Sequence, residues 1–239
     1  MPVAEINVGR VIAPPRATNG SQDTSVWGLL TTSDITATSD PNGLETSKSM
    51  SGNEFRFRGS AAVGSNLDNP NDGCLYRFAL KDPATGATLS AGDGDVVGVE
   101  FYFQFGTNIP NATNEMFFTG VYDGGSAGMF AGFKRDNTTL RFGYGAYTGT
   151  SKSTFAHSAG YAYQTHMFLA DDSADSSAVA AFPAIYAFDD AGTPARSGAR
   201  VSGTSALSLS GTFTLALVFA GNVDVTVYYR LVKVPSDPF

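Results

Sequence analysis

Charged side chains are scarce in this chain. They make up 15% of its 239 residues, against about a quarter in ordinary soluble domains. The basic ones occur singly apart from Lys134-Arg135, and the formal net charge is −7. No basic stripe is available to neutralise phosphates, which argues against a nucleic-acid partner. Cysteine is almost absent. Cys74 alone rules out an intramolecular disulfide and any cysteine-based zinc site. Long apolar runs are missing too: none approaches the roughly 18 residues of a membrane helix, so no membrane partner is expected. The opening Met1-Pro2-Val3-Ala4-Glu5 has neither a basic n-region nor an apolar h-region, and the expectation is synthesis without a classical export signal.

Apolar and turn-forming residues dominate what is present. Hydrophobic residues reach 42%, enough for a substantial core, and 27 glycines accompany abundant Ser and Thr. The apolar pattern has period two. In Val97–Phe105, Val97, Val99, Phe101, Phe103 and Phe105 fall on one face and Glu100, Tyr102 and Gln104 on the other. Val223, Val225, Val227, Tyr229 and Leu231 alternate in the same way with Asp224, Thr226, Tyr228 and Arg230. Phe213–Phe219 is nearly continuously apolar, as in a strand buried on both faces. Ala220-Gly221-Asn222 between these two runs reads as a hairpin turn.

Shorter strands are expected over Glu115–Tyr122, Gly128–Lys134, Thr138–Tyr147, Tyr161–Leu169 and Ala178–Phe188, with turn residues between them. Pro183 argues that the Ala-rich stretch 174–187 is an edge strand. These features predict an all-β fold, an antiparallel β-sandwich or jelly roll, over residues 51–239. Residues 1–50 read differently. Pro14-Pro15 enforces an extended path, and a Ser/Thr/Asn/Asp-rich run follows. The expectation is an extended, loop-rich N-terminal arm. Trp27, the only tryptophan, is a candidate anchor in this polar stretch.

No catalytic constellation emerges. Gly124-Gly125-Ser126-Ala127-Gly128 fits Gly-x-Ser-x-Gly, but that motif has meaning only at a strand–turn–helix corner, and a β-like segment follows here. His157 and His166, nine positions apart, fall on opposite faces of one strand or on different elements. Glycoside hydrolysis needs two carboxyls about 5–10 Å apart. Among Glu5, Glu45, Glu54, Glu100 and Glu115, Glu100 is the best lone candidate, and a hydrogen-bonded strand residue is its simpler reading. Asp68–Gly73 and Asp93-Gly94-Asp95 gather oxygen ligands that calcium accepts, yet turns require the same residues. No catalytic residue, metal or cofactor is therefore assigned. Tyr144, Tyr147, Tyr161 and Tyr163, with Tyr102 and Tyr228, could form a stacking platform for glycans, although tyrosine populates strand faces in any case.

An acidic, cysteine-poor β domain behind a Ser/Thr/Asn-rich arm resembles the accessory virion proteins of tailed bacteriophages. These are the capsid decoration (cement) proteins and the β-domains of head or tail fibres. The resemblance rests on Met1–Met50 as the arm and on strand runs such as Val97–Phe105 and Phe213–Val234. It implies a non-enzymatic virion protein, made in the host cytoplasm, that binds capsid or other virion proteins as a homo-oligomer, a dimer or trimer. Such a protein binds the assembled shell and not free subunits, and so stabilises the shell by mass action. The resemblance implies that Val3, Ile6, Val8, Val11 and Ile12 of the arm, with Trp27, add a strand to a partner or fill its grooves. A looser similarity to lectin-like jelly rolls, over Val97–Phe105 and Gly128–Tyr147, implies the alternative of a carbohydrate-binding or host-adhesion module.

Overall fold

A computed structural model describes residues 27–62, 70–83, 85–88, 96–122, 128–136, 139–146, 149–157, 162–172, 175–188, 194–197, 207–208 and 214–233. The chain enters as β1 (Gly28–Leu29), passes a 3-10 turn at Thr32–Asp34, and continues through β2 (Ile35–Ser39), β3 (Glu45–Ser51), β4 (Glu54–Gly59) and β5 (Cys74–Ala79). Then follow β6 (Val96–Phe105), β7 (Met116–Tyr122), β8 (Gly128–Asp136), β9 (Thr139–Ala146), β10 (Gly149–Ala156), β11 (Ala162–Asp172) and β12 (Asp175–Phe188). The last elements are β13 (Pro194–Ser197), β14 (Leu207–Ser208), β15 (Thr214–Ala220) and β16 (Val223–Lys233).

These strands form two antiparallel sheets packed as a sandwich. The first runs β13-β12-β11-β6-β16-β4-β3, with β1 and β14 attached to β16 and β12; the second runs β10-β9-β8-β7-β15-β5-β2. Alternation decides what fills the space between them. β6 sends Val99, Phe101, Phe103 and Phe105 inward, and β16 sends Val223, Val225, Val227 and Tyr229. The second sheet answers with Tyr76, Phe78, Phe117, Phe133 and Phe219. Phe219 sits at the centre, stacked on Phe55 and Phe57 at ring-centroid distances of 5.0 and 5.1 Å and edge-on to Tyr76 at 5.7 Å. Two polar bridges cross the same interior. The Thr119 and Thr165 hydroxyls lie 3.0 Å apart, and His157 Nδ1 lies 2.8 Å from the Tyr163 hydroxyl.

β15 is buried on both faces, as its sequence predicts. Leu215, Leu217 and Phe219 face the sandwich interior, while Ala216, Val218 and Ala220 pack with Leu44, Leu75, Met116 and Phe118 on the other side of the sheet. The Ala-rich stretch is strand β12. Pro183 lies opposite Met167, between the short stretches of β12 that pair with β14 and β13.

Two expectations are corrected. β15 and β16 do not form a hairpin, because they lie in different sheets. Gly221 turns the chain from one sheet to the other with φ +87°, and its N–H donates to the Ser60 carbonyl at 2.8 Å. The two strand patterns explain the separation. A strand apolar on both faces needs cover on both, whereas the alternating β16 suits a sheet whose outer face is polar. The boundary expected at residue 50 also fails. Residues 27–50 contribute β1 and most of β3 to the first sheet and β2 to the second, and Trp27, Leu30 and Leu44 are buried. Of the expected arm, residues 1–26 lie outside the described residues, and with them Val3, Ile6, Val8, Val11 and Ile12.

Candidate functional site

Among the described residues, the outer face of the first sheet carries a cluster of polar and aromatic side chains. Strand register lays them out in rows. Gln164 of β11, Tyr102 of β6 and Tyr228 of β16 are direct neighbours, and in the next outward-facing row Glu100 pairs with Arg230. Position 166 of β11 stands opposite Glu100 on its other side. Trp27, just before β1, packs onto this face because β1 pairs with β16 at Tyr228 and Tyr229.

Contacts knit the rows together. Arg230 Nε donates to Glu100 Oε2, and Gln164 Nε2 donates to the same oxygen at 3.3 Å. The Arg230 guanidinium lies 4.8 Å from the Trp27 ring centroid, and the Trp27 and Tyr102 rings meet edge-on at 6.5 Å. Asn53, in the exposed turn between β3 and β4, donates to the Tyr228 hydroxyl at 3.2 Å. Glu100, Tyr102 and Trp27 are all less than a tenth exposed, and Gln164 is fully buried. Removing a charged pair from water opposes folding unless the geometry compensates. Gln164 Oε1 is buried with no hydrogen-bond partner among the protein atoms.

A second cluster lies toward the other end of the same face. Asp224 of β16 accepts from Arg58 Nη1 at 2.6 Å and from Asn108 Nδ2 at 2.5 Å. Glu54 accepts from Arg56 at 2.8 Å. Glu54 and Asp224 both crowd Gly106, where a Cβ would run into the Glu54 carboxylate. Each carboxylate is ion-paired to its own arginine, whereas a glycosidic general acid needs surroundings that favour its protonated form. Glu100 of β6 stands opposite Arg230, six positions along β16 from Asp224, about 20 Å at strand rise, too far for the two carboxylates to act as a hydrolytic pair.

The remaining candidates are dispersed. Tyr163 leaves the proposed glycan platform: it is fully buried between the sheets, 4.6 Å from the Phe133 ring and 5.5 Å from that of Phe103. The parity of β11 is the reason, since positions 163 and 165 point inward and 162 and 164 outward. Tyr144 lies on β9 opposite Ala131 and Ser151, while Tyr147 and Tyr161 lie outside the described residues. Trp27, expected to anchor an arm on a partner, is instead engaged by its own chain. Gly124–Gly128 spans the connection between antiparallel neighbours β7 and β8, so no helix follows the serine. Of the two acidic loops, Pro70–Asp72 is a 3-10 turn before β5 and Asp93–Asp95 lies outside the described residues. Among the described residues no cluster of three or more metal-ligating side chains occurs.

Three further polar groups have clear structural surroundings. Burial pushes the Cys74 thiol up to about 12. Burial by itself would raise the Glu45 carboxyl, but hydrogen bonds from Lys48 and Tyr76 outweigh it and hold the group below the usual range. Burial also lowers His157 to about 4. A cleft of about 50 Å³ lined by Leu29, Asp34, Phe78, Lys81 and Tyr229 has room for a water or two and none for a sugar ring.

No protein-family model matches this chain, and no curated protein matches its sequence. Solved structures of similar architecture exist. A functionally unknown protein from Saccharomyces cerevisiae aligns over 87% of this chain and 100% of its own, with 8% identity and a TM-score of 0.48. A xylan beta-1,4-xylosidase from Bacillus halodurans aligns over 75% of this chain and 32% of its own, with 9% identity and a TM-score of 0.45. The GH43B protein of a Bacteroides ovatus xyloglucan locus aligns over 76% and 33%, with 10% identity and a TM-score of 0.42. The chain thus spans about a third of each of these two larger proteins. At such identities and TM-scores these likenesses assign no activity.

Proposed function

We propose that this chain is a non-enzymatic virion structural protein, a capsid decoration or cement protein that stabilises an assembled shell through protein–protein contacts. The observation that supports it is the edge of the sandwich formed by β2 and β3. Both sheets end on this side, and the two edge strands present Thr36, Thr38, Ser39, Thr46, Ser47 and Ser49 to solvent. Edge strands offer unpaired backbone groups to an incoming strand, and a hydroxyl-rich rim suits a flat, wet interface. Segment 1–26, with the apolar Val3, Ile6, Val8, Val11 and Ile12, precedes this edge in the chain. Deleting residues 1–16 is expected to abolish self-association and partner binding while the far-ultraviolet β signature persists. Undiminished association of the truncated chain contradicts the proposal.

The second reading is a carbohydrate-binding or host-adhesion module. The outer face of the first sheet brings together residue types that such a module uses, Trp27, Tyr102 and Tyr228 beside Glu100, Gln164 and Arg230, in a closed arrangement in which all but Arg230 are less than a tenth exposed. A glycan panel separates the two readings: an adhesion module gives saturable binding, and a cement protein gives none.

A further inference from the structure

We propose that Asn42 is a modification site: its side-chain amide converts spontaneously to aspartate and isoaspartate, at a rate set by the turn that holds it. The chemistry begins with the dipeptide. Among the described residues, Asn42 is the one asparagine that a glycine follows. The Gly43 nitrogen attacks Cγ of Asn42. The N–Cγ bond forms, the Cγ–Nδ2 bond breaks, and ammonia leaves with the proton that the Gly43 N–H gives up. Water then adds to either carbonyl of the resulting succinimide and opens it to aspartate or isoaspartate. No oxidant, reductant or enzyme enters the balance. A side chain on the following residue crowds this attack, and glycine has none.

The fold leaves the pair open to water and fastens it lightly. Pro41, Asn42 and Gly43 are all exposed in the connection between β2 and β3. A Cβ built on Gly43 would meet nothing within 4 Å, so no neighbouring group crowds that side of the pair. Two hydrogen bonds restrain the reacting groups. Gly43 N–H, the nucleophile, donates to the Asp40 carbonyl at 3.2 Å, and Asn42 Nδ2, the leaving nitrogen, donates to the Asp72 carbonyl at 3.1 Å. Such exposed bonds open locally while the sheets stay intact. The base of the turn is held more firmly, because the Asp40 carboxylate accepts from the N–H groups of Leu44 and Glu45 at 2.8 and 2.9 Å and Leu44 is buried. The turn therefore slows the reaction and does not stop it.

The product alters the corner of the sandwich. A carboxylate at position 42 has no proton to donate and meets the Asp72 carbonyl as one acceptor facing another, so the tie to the 3-10 turn Pro70–Asp72 is lost. Isoaspartate also adds a methylene to the main chain between β2 and β3, which lie in different sheets. Each event adds one negative charge to a chain that already carries −7.

The test incubates the full chain, folded and in urea, in warm, mildly alkaline buffer and follows its chymotryptic peptides by mass spectrometry. Cleavage at Trp27 separates Asn42 from the other Asn-Gly pair, Asn19-Gly20. In the folded chain Asn42 is expected to give two products of equal mass, each heavier by an amide-to-acid change, roughly tenfold more slowly than in urea. Asn53 and Asn111, exposed but followed by Glu54 and Ala112, are expected to remain amides over the same period. Asn42→Gln keeps an amide but has to close a larger ring, and is expected to abolish the mass gain at that position. A folded-state Asn42 that stays intact while it converts in urea overturns the site. Equal rates with and without urea overturn the restraint by the turn, and equal conversion of Asn42, Asn53 and Asn111 overturns the role of Gly43.

Discussion

His157 lies between two sheets with Phe105, Phe133 and Tyr163 around its ring. Its ordinary value is 6.5 and burial takes it to about 4. Between those values the unfolded chain binds a proton that the folded chain refuses, so stability rises with pH across this window and is lost as pH falls through it. Urea midpoints measured from pH 7 down to pH 4.5 are expected to fall more steeply for the natural chain than for His157→Gln. Equal slopes place the effect elsewhere. Cys74 offers a second check at this scale. Its sulfur is buried and its thiol is raised to about 12, so a maleimide is expected to leave the native protein unlabelled and to label it fully in denaturant. Prompt native labelling contradicts the packing described. Little of this was legible in the sequence. Tyr163 and Gln164 are adjacent in the chain and face opposite ways, and no local pattern says which side of β11 meets the core. The Asp224 cluster was equally hidden, because Arg58, Asn108 and Asp224 meet only when β4, β16 and the loop after β6 are folded together.

At the scale of elements, the strands with clean alternation were readable and their neighbours were not. β6 and β16 lie side by side with Tyr102 opposite Tyr228, a pairing between segments more than a hundred positions apart that no turn signal announces. The Ala220-Gly221-Asn222 sequence marks a reversal correctly and says nothing about whether the next strand returns to the same sheet. Gly221 holds φ +87°, and a Cβ there would run into the Glu115 side chain. Gly221→Ala is therefore expected to destabilise by more than the about 1 kcal/mol of left-handed strain alone, read as a lowered denaturation midpoint. A neutral result refutes the sheet-to-sheet corner. Phe219→Ala, which empties the centre of the aromatic stack, is expected to cost about 3–5 kcal/mol. β2 and β3 escaped recognition as sandwich strands for a physical reason. They are edge strands with largely exposed Ser and Thr side chains, and that composition is shared with unpaired, hydrophilic chain.

At the scale of the whole molecule, among the described residues, the β2–β3 edge is hydroxyl-rich and exposed, whereas Trp27, Glu100, Tyr102 and Gln164 on the outer face of the first sheet are buried. A net charge of −7 opposes indiscriminate association, so self-association through the edge has to be specific and stoichiometric. Assembly through the β2–β3 edge is read from the mass of the purified full chain, measured by light scattering at several concentrations. A mass two or three times that of the 25.0 kDa chain, constant on dilution, is the expected result. A single-chain mass at every concentration contradicts such assembly.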